Sequence, residues 1–307
     1  MKEKIAVIIV TYNGEAWLKK CLDSVFSYTG NMQVYIADNG STDNTVNIIE
    51  SLSRKIDFQK LAANKGFGAA NNICIKKAYA DGCDYFMLLN QDVYISDTTI
   101  PVLIEILQKN PVMGIISPLH LNGDGSSFDK NFLHSLASSR EKKFVNDIYF
   151  KKAEPLYEVN NVNAACWMLP QKTIETIGGF DPLFFHYGED DNYCQRVLYH
   201  GLKIAITTLA SVHHDRDDRD GNIRQEYLQQ QKERAWLIKV ANVFVDDNKK
   251  YERQLKELYW INMLKKIITL RFAASVSLRK EYGFKKKLLQ QAAEHRKKNR
   301  SSGMNWL

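Results

Sequence analysis

Ile5-Ala-Val-Ile-Ile-Val10, running into Thr11-Tyr12-Asn13, and Val34-Tyr-Ile-Ala-Asp38, running into Asn39-Gly40-Ser41-Thr42-Asp43, are the stretches on which the fold is read. Each is an apolar run of strand length, rich in β-branched residues, that stops abruptly in a polar cluster. A continuous apolar run, as opposed to an alternating one, belongs to a strand covered on both faces. Between the two, residues 15–28 place Trp17, Leu18, Cys21, Leu22, Val25 and Phe26 at helical spacing, with Asn13 as a capping residue. The unit then repeats, with a helix near 43–54, a short strand near 56–61, a helix near 67–80 and a strand at Tyr85-Phe-Met-Leu-Leu89. Such alternation through residue 116 predicts an α/β fold: a mixed, mostly parallel, Rossmann-like central sheet with helices on both faces and ligands beyond the C-terminal strand ends.

Further along, residues 120–160 turn polar, with Gly123, Gly125, Ser126 and Ser127 clustered, and read as a loop or hairpin insertion. A strand at 164–169, helices at 171–177 and 190–200, and a strand at 203–208 ahead of His213-His214 complete the sheet. From 223 onward the pattern is helical. The expected division is a domain over 1–222, with halves 1–116 and 117–222, and a helical C-terminal extension over 223–307.

Composition narrows the class. Of 307 residues, 45% are hydrophobic and 25% charged, the balance of a globular protein with a sizeable core. Five cysteines, odd in number and without a CxxC pair, argue against a disulfide framework and a thiolate zinc site, and so for a reducing, cytoplasmic compartment. The first apolar run of six residues is too short for a signal peptide, and no stretch is long enough to span a bilayer. The net charge of +7 is uneven: residues 249–300 hold 16 Lys/Arg against 4 Asp/Glu, which leaves the rest of the chain acidic. That acidic body speaks against a nucleic-acid partner. In the basic tail, Leu258, Trp260, Ile261, Leu264, Ile267, Ile268 and Phe272 alternate with Lys265, Lys266 and Arg271 at helical spacing. Two readings stay open there: peripheral association of 250–300 with an anionic membrane, or packing on the protein itself or on a second subunit of a homodimer.

The chemistry sits at the strand ends. Thr11-Tyr12-Asn13, Asp38 with its loop, Asn64-Lys65-Gly66-Phe67-Gly68 and Asn90-Gln91-Asp92 each follow a strand, and a parallel sheet aligns all such ends along one edge. Hydroxyls, amides, glycine N–H groups and carboxylates gathered there suit a nucleotide diphosphate. Thr11, Tyr12, Asn13, Asp38, Asn64, Gly66, Asn90 and Gln91 form the expected donor-binding set, with Asp38 accepting from a pyrimidine N3–H or a ribose. Asp92 is the expected ligand of Mg²⁺ or Mn²⁺ bridging the phosphates, since hard cations prefer carboxylate oxygen. Trp167 reads either as a stacking face for an acceptor sugar or as core. The first strand leads into Thr11-Tyr12-Asn13-Gly14 and lacks the Gly-x-Gly-x-x-Gly turn, which excludes a nicotinamide dinucleotide enzyme.

Taken in order, Val10-Thr-Tyr-Asn13, Asp38-Asn-Gly-Ser-Thr-Asp43, Asn64-Lys-Gly-Phe-Gly68, Leu89-Asn-Gln-Asp92, Gly178-Gly-Phe-Asp181, Gly188-Glu-Asp-Asp-Asn-Tyr-Cys-Gln-Arg196 and Val212-His-His214 resemble family 2 glycosyltransferases of the GT-A fold. The resemblance implies an inverting, single in-line displacement with Asp190 as the base. It also implies a metal held by Asp92 and His213, and an acceptor side made by Gly179, Phe180, Asp181 and Glu189 beside Trp167. Two positions depart from the family pattern: Asn90 stands where the first acid of Asp-x-Asp is usual, and Asn192 where an Asp is common. The variant metal motif resembles that of bacterial rhamnosyltransferases. The implied reaction takes dTDP-L-rhamnose or a UDP-sugar to a glycan or lipid-linked glycan in bacterial surface polysaccharide synthesis, at the inner face of the plasma membrane. A catalytically silent nucleotide-sugar binding module is the alternative.

Overall fold

The opening runs form strands β1 (Ile5–Thr11) and β2 (Met32–Asp38), joined through helix α1 (Leu18–Phe26). The two strands pair in parallel with Thr11 beside Asp38. The computed structural model describes residues 3–52, 56–138, 142–216, 225–268 and 273–307. After β2 come α2 (Thr45–Ser51), β3 (Ile56–Lys60), α3 (Phe67–Ala80), β4 (Tyr85–Asn90), the two-residue β5 (Val93–Tyr94), α4 (Thr99–Lys109) and β6 (Met113–Asn122). Then follow α5 (Lys130–Ser138), α6 (Lys142–Tyr149), β7 (Leu156–Val159), β8 (Cys166–Pro170), α7 (Gln171–Ile177), α8 (Glu189–Tyr199) and β9 (Lys203–His214).

Among the described residues these strands form one sheet in the order β3-β2-β1-β4-β8-β6-β9-β5, with β7 added on β9. β1, β2, β3 and β4 are mutually parallel, as are β6 and β9, while β8 runs antiparallel between β4 and β6. Period-2 geometry explains why the strands lack a polar face. Ala6, Ile8, Tyr35, Phe86, Leu88 and Trp167 face α3, α7 and α8, whereas Ile5, Val7, Ile9, Val34, Met87 and Met168 face α1, α2 and α4. The residues of the central strands β1, β4 and β8 are thereby mostly buried on one side or the other. A fully buried aliphatic side chain such as Ile8 would cost ~2–5 kcal/mol on truncation to alanine.

The stretch 120–160, read from sequence as a loop or hairpin, is instead mainly helical. Phe132 and Leu136 on α5 and Phe144 on α6 close over Tyr157 of β7, with the Phe144 and Tyr157 rings 5.3 Å apart edge to face. Four-residue apolar spacing under a polar surface defines these helices, and the glycines are confined to the turn before them. β9 also runs six residues beyond its predicted end and carries both histidines on the strand. All five cysteines are buried free thiols.

The chain divides into two compact units, residues 1–222 with 302–307, and residues 223–301. In the second, α9 (Gln225–Ala241), α10 (Lys249–Ile268) and α11 (Ala273–Asn299) pack together. Arg296 donates to the Val240 carbonyl and to Asn248, and Arg300 donates to the Val243 and Val245 carbonyls at 3.0 and 2.8 Å. The last six residues, grouped with the helical extension on sequence, belong to the first unit: Gly303 N–H reaches Thr176 O at 3.0 Å and Asn305 O accepts from Gly179 N–H at 2.8 Å.

Candidate active site

The C-terminal ends of β1, β2 and β4 lie side by side, with Thr11 paired to Asp38 and Val10 to Asn90. Asp38 is fully buried. Its Oδ1 accepts from Thr11 Oγ1 at 2.9 Å and Ser41 Oγ at 2.5 Å, and its Oδ2 from the Gly40 and Ser41 amides at 3.2 and 2.9 Å. Four donors occupy the four lone-pair positions of a carboxylate. Asp38 therefore shapes the 39–41 loop, and the contact with a base or ribose expected of it finds no lone pair turned outward. Asn39 extends the scaffold, donating to Gly66 O at 3.2 Å and accepting from Lys65 N–H at 2.8 Å.

The next residues along the edge are open. Tyr12, 48% exposed, has its backbone clamped by Gln91: its N–H donates to Gln91 Oε1 at 3.0 Å, and Gln91 Nε2 donates to its carbonyl at 3.1 Å. Asn13, with φ of 47°, accepts from Thr42 N–H at 2.9 Å. Asn64 is exposed and accepts from Gly66 N–H at 2.8 Å. Gly66, at φ 87°, precedes α3 and touches the 181–188 loop so closely that a Cβ there would overlap the Phe185 carbonyl oxygen.

That contact joins the first half of the sheet edge to the N-terminus of α8. Tyr187 and Gly188 enter the helix at φ 67° and 94°, and Glu189, Asp190 and Asp191 fill its first turn, where the helix dipole favours acids. Asp190 is half-buried and receives the Asp191 N–H at 2.9 Å, with further backbone donation from Ala164 and Gly188. Burial outweighs these donors and raises its proton affinity above the ordinary Asp value. Asp191, bonded by Asn161 Nδ2 at 2.9 Å, is pushed up to about 7 by burial and then by the charge of Asp190. The peptide after Ala164 fixes where Asp190 stands: Ala165 O accepts from Asn90 N–H at 2.9 Å, which places Asp190 on the same edge as Asn90-Gln91-Asp92.

Asp92 is met by β9. Its carbonyl accepts from Asp215 N–H at 2.8 Å, and its Oδ1 lies 3.4 Å from Nε2 of His214. The expected partner was His213, but that ring turns to the Gly123 carbonyl at 3.3 Å. Val212 is buried, so alternation along β9 puts His214, and not His213, on the inward face. Nδ1 of His214 faces Asp129 Oδ2 at 3.6 Å, and Arg216 Nε reaches the same carboxylate oxygen at 3.4 Å.

The expected acceptor side is corrected in part. Trp167 is fully enclosed, with Phe180 at 6.3 Å and Tyr193 at 5.9 Å between ring centroids, so it is core and offers no face to a sugar. Gly179, Phe180, Asp181 and Glu189 are buried as well. Phe180 packs under Gly68, and Asp181 turns the chain by accepting from Leu183 N–H at 2.9 Å. They lie at the two ends of the 181–188 loop. On that loop Phe185 and Tyr187 are the exposed aromatics, which sequence reading missed along with Asp129, His214 and Asp191. Their signal was available in Phe184-Phe-His-Tyr187, large aromatics directly ahead of an acidic helix start.

Whether these residues fit a divalent metal follows from the donor set. Among the described residues no three His, Cys, Asp or Glu side chains form a metal-binding group. A carboxylate and an imidazole 3.4 Å apart offer two ligands to a cation of the Mg²⁺ or Mn²⁺ type that completes its shell with substrate phosphates and water, but the Arg216 guanidinium lies 3.1 Å from the same Nε2 and must move aside for the cation to bind. The Asp129 carboxylate behind Nδ1 is the usual outer partner of a ligating histidine.

A mostly parallel sheet with helices on both faces and its polar loops at the C-terminal strand ends is the GT-A fold. Solved structures share it: residues 1–349 of S. aureus TarS in complex with UDP-GlcNAc align over 81% of this chain and 70% of theirs, with TM-score 0.54 and 14% identity. GalNAc-T7 with UDP, GalNAc and Mn²⁺ aligns over 78% of this chain and 51% of its own, with TM-score 0.58 and 13% identity. The profile of glycosyl transferase family 2 matches residues 6–176, and the chain belongs to that family. Among its relatives, the N-acetylglucosaminyl-diphospho-decaprenol L-rhamnosyltransferase of Mycobacterium tuberculosis is 24% identical over 238 residues, 70% of this chain and 77% of that protein. The poly-beta-1,6-N-acetyl-D-glucosamine synthase of Staphylococcus epidermidis is 32% identical over 118 residues, 38% of this chain and 28% of that protein.

Proposed function

We propose that the protein is an inverting glycosyltransferase that carries a sugar, L-rhamnose from dTDP-L-rhamnose or a hexose from a UDP-sugar, to a hydroxyl of a lipid-linked glycan in bacterial surface polysaccharide synthesis. The observation that carries this reading is the state of Asp190. An acceptor hydroxyl is a weak acid, and a carboxylate with raised proton affinity is a stronger base for removing its proton as the new bond forms. The base stands on the sheet edge that also presents Tyr12, Asn13 and Asn64, whose open positions suit a nucleobase and a diphosphate. The rhamnosyltransferase relative, whose name specifies a diphospho-decaprenol acceptor, supports the choice of sugar and acceptor class.

Asp92 and His214 would hold the divalent cation, and when bound it would offset the charge growing on the leaving diphosphate. His214 is kept in register by Asp129, and Asp92 by the Asp215 N–H. The remaining departure, Asn90 in place of an acid, leaves this set with one carboxylate, so the bound phosphates must complete the cation's shell.

The test is transfer from dTDP-L-rhamnose and UDP-sugars to a prenyl-diphosphate-linked N-acetylglucosamine acceptor, with Asp190→Asn beside the parent. The variant is expected to lose at least about a hundredfold in kcat while donor affinity is retained. Near-normal turnover would remove Asp190 as the base.

A further inference from the structure

Helix α10 carries apolar residues on both its inward and its exposed side. Tyr251, Leu255, Tyr259, Asn262, Met263 and Lys266 recur every three to four residues and are drawn into the helical unit, with the Tyr259 ring 4.5 Å from that of Tyr282 on α11. On the opposite side Trp260, Ile261, Leu264, Ile267 and Ile268 form a stripe, each about half exposed or more. The same face one to three turns earlier carries Lys249, Lys250 and Arg253, all exposed. A contiguous apolar stripe of this kind marks a surface built to be covered.

The charge pattern decides what covers it. In a parallel pairing with a second copy the two basic halves would face each other. In an antiparallel pairing each basic half would lie on the partner's apolar half. Two of the three cations meet acids, Arg253 with Glu257 at 2.8 Å and Lys249 with Asp247 at 3.8 Å, but these are exposed pairs in water and Lys250 is left over, so the face stays positive and neither arrangement neutralises it. An anionic bilayer surface satisfies both halves at once, with lipid phosphates for the cations and the headgroup–acyl boundary for the apolar residues, where tryptophan is favoured. No helix among the described residues is long and apolar enough to cross a membrane, so the contact is one of lying on the surface.

We propose that α10 docks flat on an anionic lipid bilayer, with Trp260, Ile261, Leu264, Ile267 and Ile268 set into the boundary region and Lys249, Lys250 and Arg253 against the lipid phosphates. The docking goes beyond the proposed reaction and is read without donor or acceptor, so its failure leaves the transferase reading standing.

The experiment is co-sedimentation of the full chain with vesicles of phosphatidylcholine alone or mixed with phosphatidylglycerol. Binding is expected only where phosphatidylglycerol is present, and is expected to weaken in about 0.5 M salt as screening sets in. The triple variant Trp260→Ser, Ile261→Ser, Leu264→Ser is expected to bind at least about tenfold more weakly, and Lys249→Gln, Lys250→Gln, Arg253→Gln to lose the preference for the anionic lipid. These side chains are exposed, so melting curves should match the parent's and separate lost binding from lost folding. The proposal is overturned if the parent ignores the vesicles, if both variants bind as the parent does, or if light scattering shows a dimer that the apolar triple variant dissociates.

Discussion

His214 stands 3.4 Å from Asp92, joining the end of β9 to the loop after β4, while its neighbour His213 faces the Gly123 carbonyl. If the two histidines differ as this geometry requires, His214→Ala should weaken Mn²⁺-supported donor binding by at least about tenfold, and His213→Ala should change it little. Calorimetric titration of dTDP or UDP with and without Mn²⁺ reads the difference directly. Equal losses in the two variants would mean that the partner of Asp92 has been misassigned.

Asp191 carries a second consequence, in pH. Its folded-state value of about 7 lies above the roughly 3.9 of an unfolded Asp, so the folded chain holds this proton the more tightly. The stability it contributes is complete below about pH 4 and is lost as pH rises through about 7. Asp191→Asn removes that loss, so its gain in Tm over the parent should be larger at pH 8 than at pH 5. Asp190 is raised by burial and not by the charge of Asp191, so the variant should leave the acid limb of the rate profile in place. A Tm difference independent of pH would show that Asp191 is not raised in the folded chain.

Three of the four strand-end clusters were legible because each terminates an unbroken apolar run, and a run buried on both faces has no competing assignment; the one at Asn64 follows the alternating strand Ile56-Asp-Phe-Gln-Lys60 and was read from its place in the repeat. Asp38 was found for its position, yet its four internal donors depend on Thr11, Gly40 and Ser41 folding back, which spacing does not reveal. The helices over 130–149 were obscured because their surface residues are Lys, Asn, Ser and Asp, the same types that fill loops, while Phe132, Leu136 and Phe144 are too few to dominate the window. The histidine assignment failed for a different reason. The alternation rule excludes two adjacent ligands but selects between them only once a neighbour's face is known, and Val212 supplies that face.

Trp167 and Tyr187 separate core from surface on the acceptor side. Trp167 is sealed between Phe180 and Tyr193, so Trp167→Ala should cost about 3–5 kcal/mol of stability and lower Tm by several degrees, with any loss of activity following the loss of folded protein. Tyr187, 50% exposed on the loop that leads into Asp190, should behave in the opposite way. Tyr187→Ala leaves the core intact and is expected to keep Tm within a degree or two, while raising the acceptor KM severalfold through loss of an aromatic face for a sugar ring. Steady-state kinetics with the acceptor varied, set beside melting curves of both variants, resolves the two effects. An acceptor KM that rises for Trp167→Ala at unchanged Tm, with Tyr187→Ala silent, would return the stacking role to Trp167.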